Sequence, residues 1–240
     1  MIEIHQPTIF GNDVIAAVSS MADGNMKHGL QDAPDVIAGN RQRFLKQLEV
    51  DMIDTTLVPM VYTDKSFTKY RIVTEDDKGK GMNGLVDIEP ADGLVVTSSD
   101  HALFLPLADC IGAILYDPEH RILMVSHLGR HNLTQAGATK SVAYLESNFH
   151  TDPSQLKVWL SPAVGKASYP LHAFEGKSLH EVAQMQLAKS GVLKSNIENA
   201  SVDTATSKDY YSHSQYLQDN GMPGRFAIVA SMRTQGEPAA

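Results

Sequence analysis

The chain has 240 residues, 42% hydrophobic and 20% charged, with a net charge of −8 and one cysteine. That balance is the composition of a globular protein, and the length suits a single domain over residues 1–240. Scattered Lys and Arg argue against a nucleic-acid partner, and no apolar run approaches the ~18 residues that would span a membrane. No basic-then-apolar leader opens the sequence and the lone cysteine forbids an internal disulfide, so a reducing, cytoplasmic setting is expected. In chain order, residues 2–21 read as two short strands around a turn at Gly11-Asn12-Asp13. Asp32 is placed to cap a helix that tolerates Pro34 in its first turn and carries Val36, Ile37, Phe44, Leu45 and Leu48 at helical spacing. Residues 57–62 are strand-like, with Pro59 marking an edge, and the charged, glycine-containing stretch 75–83 reads as a mobile surface loop.

The centre is denser. Residues 93–97, 102–107, 111–116 and 121–125 are four strand candidates in succession, and Asp117-Pro118-Glu119-His120 has the composition of a type I turn. A helix is predicted over 134–148, with Val142, Leu145 and Phe149 on its apolar side, then a strand over 156–160. Ser178 caps a second helix ending at Gly191, residues 225–232 close as a strand, and 234–240 is a frayed tail. The mixture lacks regular βαβ alternation, so an α+β layered fold is predicted over a doubly wound parallel sheet.

Chemistry points to Cys110 and His127. With Pro118 and Glu119 as the central turn residues, these two become direct cross-strand partners, with Cβ atoms ~4.5–5.5 Å apart. An imidazole there would favour a thiolate, or both side chains would bind one soft metal ion. A one-residue slip would put Leu128 or Ser126 opposite Cys110 instead, and a regular strand would turn Asp109 to the other face. The plain alternative is an inert core thiol beside a hydrogen-bonded structural histidine. His127 and His131 have a metal-ligand spacing only within a helix, and Gly129 argues for a loop there. His101, His120 and His213 fall at strand ends or turns, where solvated histidine is the usual reading.

Three stretches together carry a family resemblance: Ala91-Asp92-Gly93-Leu94-Val95-Val96-Thr97, Leu107-Ala108-Asp109-Cys110 and Leu115-Tyr116-Asp117-Pro118. Asn40-Arg41, Ser161-Pro162-Ala163-Val164-Gly165 with Tyr169, and Gly224-Arg225 agree in order along the chain. The sequence resembles the laccase-domain (polyphenol oxidase, YfiH-like) family. That resemblance implies an α-β-β-α sandwich with mixed sheets, related to the cytotoxic necrotising factor catalytic domain. It also implies a metal site of two histidines and a cysteine, zinc rather than copper, and phosphorolysis of adenosine, inosine or guanosine or deamination of adenosine. Nucleoside and phosphate are then the expected small-molecule partners.

Mapped onto this chain, Cys110 and His127 are the expected catalytic residues and metal ligands, with Arg130 and His131 also catalytic. Tyr62, Asn40, Arg41 and Arg225 are expected to bind substrate. The family's HAGWRG stretch becomes His127-Leu128-Gly129-Arg130-His131-Asn132, the usual Cys-Thr becomes Asp203-Thr204, and Tyr62 stands where the second metal histidine belongs. Phenol is a poor zinc ligand at neutral pH, so zinc is expected to be weak unless His131, His101 or His28 supplies a third ligand. A metal-free Cys-His hydrolase or deamidase and a catalytically silent binding homologue are the alternative functions.

Overall fold

A computed structural model describes residues 5–60, 62, 65–84, 88–218 and 221–234. Its strands fall into two sheets. One has the order β1 (Val14–Val18), β10 (Phe226–Met232), β5 (Ala102–Leu107), β2 (Thr55–Leu57). The other runs β3 (Tyr70–Ile72), β4 (Gly93–Val96), β7 (Ile122–Leu128), β6 (Ile111–Asp117), β8 (Lys157–Leu160), β9 (Ile197–Asn199). β2–β5, β3–β4 and β8–β9 pair in parallel, and the remaining pairs are antiparallel, so both sheets are mixed.

The central strands are continuous apolar runs because each face meets a different layer. Leu103, Leu105, Ile114, Tyr116, Leu123, Val125 and Ile228 fill the space between the sheets. One position out of step, Ile111, Ala113, Leu115 and Met124 face outward beneath helices α3 (Gly137–Phe149) and α4 (Leu179–Lys189), against Val142, Leu145, Val182 and Leu187. On the far side, Phe104, Ala227 and Val229 receive Phe44 and Leu45 of α1 (Pro34–Lys46). The result is the α-β-β-α layering that the resemblance implied. Each buried aliphatic side chain stabilises it by roughly 1.5–3 kcal/mol.

Several local expectations change. Residues 5–13 form no strand; β1 pairs with the distant β10, so there is no N-terminal hairpin among the described residues. Ala33 is the N-cap of α1, while the Asp32 carboxylate accepts a hydrogen bond from Asn25 at 2.8 Å. Residues 75–83 are ordered around the buried Asp77, whose carboxylate binds Arg71 and Lys80 at 3.0 and 3.3 Å. The helix expected over 134–148 is α3, which starts at Gly137; ahead of it, where a loop was expected after Gly129, lies a short helix, α2 (Arg130–Thr134), set off by Ala136 at φ 59°. The four strand candidates of the centre all form, and they divide between the sheets: β5 lies in one and β4, β6 and β7 in the other. Residues 61, 63 and 64, within and beside the strand expected over 57–62, and the tail beyond 234 lie outside the described residues.

Candidate functional site

The site is built where β6 begins and β7 ends. Asp117 pairs with Ile122, and Gly112 pairs with His127, so Cys110 and His127 are not direct partners. The loop contains two residues more on its far side, His120 and Arg121, than a type I turn centred on Pro118-Glu119 requires. Arg121 closes it at φ 53°, and the Asp117 carboxylate caps it through the Glu119 and His120 N–H groups at 2.9 and 3.1 Å. The register therefore moves by two residues. Because side chains alternate with period two, that shift changes the partner and keeps the face.

Cys110 is thereby a diagonal neighbour of His127, with Gly129 between them. A β-carbon on Gly129 would lie 2.8 Å from Cys110 Sγ and 3.0 Å from His127 Cε1, so both groups crowd one point. Asp109, at φ 74°, sets the bend before β6, and its carboxylate accepts from Thr204 Oγ1 at 2.7 Å and the Ser214 N–H at 2.6 Å. That clamp ties the Cys110 bend to the start of α5 (His213–Leu217).

Cys110 and His127 open on a cavity of about 360 Å³. Lys27, Arg130 and Arg225 line it, with Asp109 as the carboxylate in its lining. Tyr62, 55% exposed, stands at the rim with its ring edge-on to His127, centroids 6.5 Å apart, and Tyr169 and His213 complete the wall. His131 lines the same cavity and stacks on Phe67 at 4.7 Å.

Burial dominates the electrostatics. It pushes the Cys110 thiol up to about 12, assisted by the Asp109 charge and opposed by Arg225 and Arg130. It pushes His127, 3% exposed, down to about 4 against a hydrogen bond to Asn132. Burial thus favours the neutral form of both side chains, which works against the thiolate–imidazolium couple of a Cys-His hydrolase. Lys27, accessible at the rim, is held below its usual range by partial desolvation and by Arg225, and burial lowers Arg225 in turn.

Asn40 and Arg41, expected to contact substrate, lie outside this cavity. Arg41 is 1% exposed, donates to the carbonyls of Met26, Gly81 and Met82 at 2.7–2.9 Å, and sits over the Phe104 ring. Asn40 donates to the Asn25 carbonyl at 2.9 Å and accepts from Arg43. Both fasten the Asn25 segment, whose Oδ1 accepts the N–H groups of Lys27 and Arg225 at 3.0 and 2.9 Å. They support two cavity cations from behind. Lys27, Tyr169 and His213 were not among the expected site residues; their cavity walls come from segments far apart in sequence.

The implied metal fits poorly. Catalytic zinc takes three protein ligands, and among the described residues no three His, Cys, Asp or Glu side chains converge to hold an ion. The third group beside Cys110 and His127 is the Tyr62 phenol, pushed upward by desolvation and by the Cys110 charge. His101 is bonded to Thr56 Oγ1 at 2.7 Å, away from the cavity, and His28 does not line it.

The fold and the cavity define an α-β-β-α protein with a Cys-His floor and a cationic wall. The family described as multi-copper polyphenol oxidoreductase laccase matches residues 15–177 and 175–233, and the chain belongs to that family. A purine nucleoside phosphorylase of Corynebacterium glutamicum is 25% identical over 151 residues, 63% of this chain and 57% of that protein. The chain thus matches little more than half the length of that relative. The crystal structure of YlmD from Geobacillus stearothermophilus superposes with a TM-score of 0.86 at 20% identity, covering 98% of both chains. The Bacillus licheniformis hypothetical protein YfiH gives a TM-score of 0.81 at 20% identity, covering 92% of this chain and 93% of that one. At those identities the likeness establishes the fold alone. Among the described residues, no helix is long and apolar enough to cross a membrane.

Proposed function

We propose that the chain is a purine nucleoside phosphorylase whose cavity takes inorganic phosphate beside a purine nucleoside. The observation that carries this reading is the charge of the cavity. In a chain of net charge −8, Lys27, Arg130 and Arg225 face one pocket whose carboxylate, Asp109, is already engaged by Thr204 and Ser214. Cations gathered without a free acidic counterpart, Lys27 and Arg225 among them partly desolvated, favour a small anion. That requirement supports phosphorolysis over deamination, which consumes no anion. Tyr62, Tyr169 and His131 offer aromatic surface for the base. The activity for which the Corynebacterium glutamicum relative is named agrees.

In the proposed reaction a phosphate oxygen forms a bond to the ribose C1′, and the C1′–purine nitrogen bond breaks with its electron pair going to the purine. The proton of hydrogen phosphate ends on the departing base. His127, neutral and facing the phosphate site, receives that proton and passes it on. Arg130 and Arg225 stabilise the phosphate charge as it attacks. No step runs through a metal.

Incubation of adenosine, inosine and guanosine with the protein, with and without phosphate and resolved by chromatography, tests this. Free base and ribose 1-phosphate that accumulate only with phosphate are the expected products. Inosine from adenosine, or no turnover of any nucleoside, would contradict the proposal, and binding without turnover would identify a silent homologue.

A further inference from the structure

The segments that bring Lys27 and Arg225 to the cavity meet at one buried side chain, Asn25, 200 residues before Arg225 in sequence. Asn25 Oδ1 accepts two backbone N–H groups, from Lys27 at 3.0 Å and from Arg225 at 2.9 Å. Its Nδ2 donates to the Lys27 carbonyl at 3.2 Å and to Asp32 Oδ2 at 2.8 Å. Both amide hydrogens and both oxygen lone pairs are thereby used. Two N–H donors at one end and two oxygens at the other fix which end of the amide is oxygen. The backbone is pinned as well. The Asn25 carbonyl accepts from Asn40 Nδ2 at 2.9 Å, and the Met26 N–H donates to the Arg225 carbonyl at 2.9 Å.

We propose that Asn25 is the positioning residue of the phosphate site, its amide setting the Lys27 and Arg225 backbones so that the two cations converge on one anion. The inference rests on the phosphorolysis reading and assigns the anion to the Lys27–Arg225 side of the cavity. Bringing two like charges to one wall costs Coulomb energy, and an anion between them relieves it. Long cationic side chains also lose freedom when they bind, and starting both from fixed backbones reduces that loss. Asp32 does not line the cavity. Its carboxylate acts on the pair through the Asn25 amide, as an anchor and not as a counter-ion.

Calorimetric titration of the full-length protein with inorganic phosphate, without nucleoside, tests the role in two variants of opposite charge change. Asn25→Asp keeps the shape but loses both donor hydrogens and sets a carboxylate against Asp32. Its phosphate Kd should rise by about ten- to a hundredfold, the worth of one charge-assisted hydrogen bond. Asp32→Ala lies at a half-exposed position outside α1, and it tests the same contact should Asn25→Asp fail to fold. Removing a carboxylate would by charge alone tighten phosphate, whereas losing the anchor of Asn25 should weaken it. Weaker phosphate in both variants is the signature of position over charge. In turnover, the KM for phosphate should rise in both while the KM for inosine stays near the wild-type value. Unchanged phosphate affinity in folded Asn25→Asp, or tighter phosphate in Asp32→Ala, would overturn the inference and leave phosphorolysis standing. An equal rise in both KM values would do the same, making Asn25 a general structural residue. Wild-type protein that binds no phosphate would remove the phosphorolysis reading, and the inference with it.

Discussion

Gly129 lies against Cys110 so closely that a β-carbon there would approach Sγ to 2.8 Å, while also meeting His127 Cε1 at 3.0 Å. Neither neighbour is the free end of a long side chain, so Gly129→Ala must push the floor of the cavity apart. Overpacking of this kind costs about 1–3 kcal/mol. The expected outcome is a lower melting temperature together with loss of nucleoside turnover. An alanine variant with wild-type turnover would show that the Cys110–His127 spacing is not critical.

Cys110→Ala separates chemistry from folding. Replacing a small thiol with a methyl group removes little volume, and the expected destabilisation is about 1–2 kcal/mol. Cys110 takes no proton and forms no bond in the proposed reaction, so its part is to shape the cavity floor beside His127. Turnover should fall without vanishing, while the melting curve stays cooperative and near that of the wild type. Near-full turnover with unchanged melting would make Cys110 a packing residue.

Tyr62→His addresses the metal. Its ring lies 6.5 Å from that of His127, so an imidazole there would add a third strong ligand to Cys110 and His127. Isothermal titration should give weak zinc binding for the wild type and tighter binding for the variant. The variant's melting temperature should also rise with zinc, because an ion that binds only the native state stabilises it by mass action. Tight stoichiometric zinc in the wild type would contradict the poor fit of the present donor set.

Much of this site is written in the sequence as local pattern, and the parts that are not depend on partners far along the chain. β5, β6, β7 and β10 are legible because burial on both faces leaves uninterrupted apolar runs. Their division into two sheets is not, because β5 takes its neighbours from β2 and β10 and not from β6. The register was missed for a physical reason: Arg121 accepts a left-handed conformation that composition does not signal, since such positions usually carry Gly or Asn. The period-two alternation nonetheless preserved the shared face of Cys110 and His127. Arg41 misled because a buried arginine satisfied by three carbonyls looks, in sequence, like a substrate-binding one. Lys27 and His213 carried no local signal, and only the approach of the Asn25 segment and the start of α5 brings them to the cavity.

Asp77 predicts the acid response of the fold. Burial alone would raise its carboxyl, but Arg71, the Thr74 N–H and Lys80 outweigh it and hold the group at about 2. A folded pKa below the unfolded value of about 3.9 gives stability that is complete above that value and lost as pH falls from about 4 toward 2. The contribution is on the order of 2 kcal/mol. Denaturant unfolding at a series of pH values should show Asp77→Asn less stable than the wild type at pH 7 and nearly equal to it near pH 2. A stability difference that does not narrow over that interval would remove Asp77 as the acid-sensitive contact.

The phosphate dependence of purine release from inosine, compared between the wild type and Arg225→Gln, tests the cationic cavity most directly. A lost charge-assisted contact to an anion is expected to raise the KM for phosphate by at least about tenfold, with a smaller effect on the KM for inosine. Wild-type release that saturates with phosphate, and a variant that needs far more of it, is the predicted result. Purine release that is independent of phosphate, or a variant with the wild-type phosphate requirement, would contradict it.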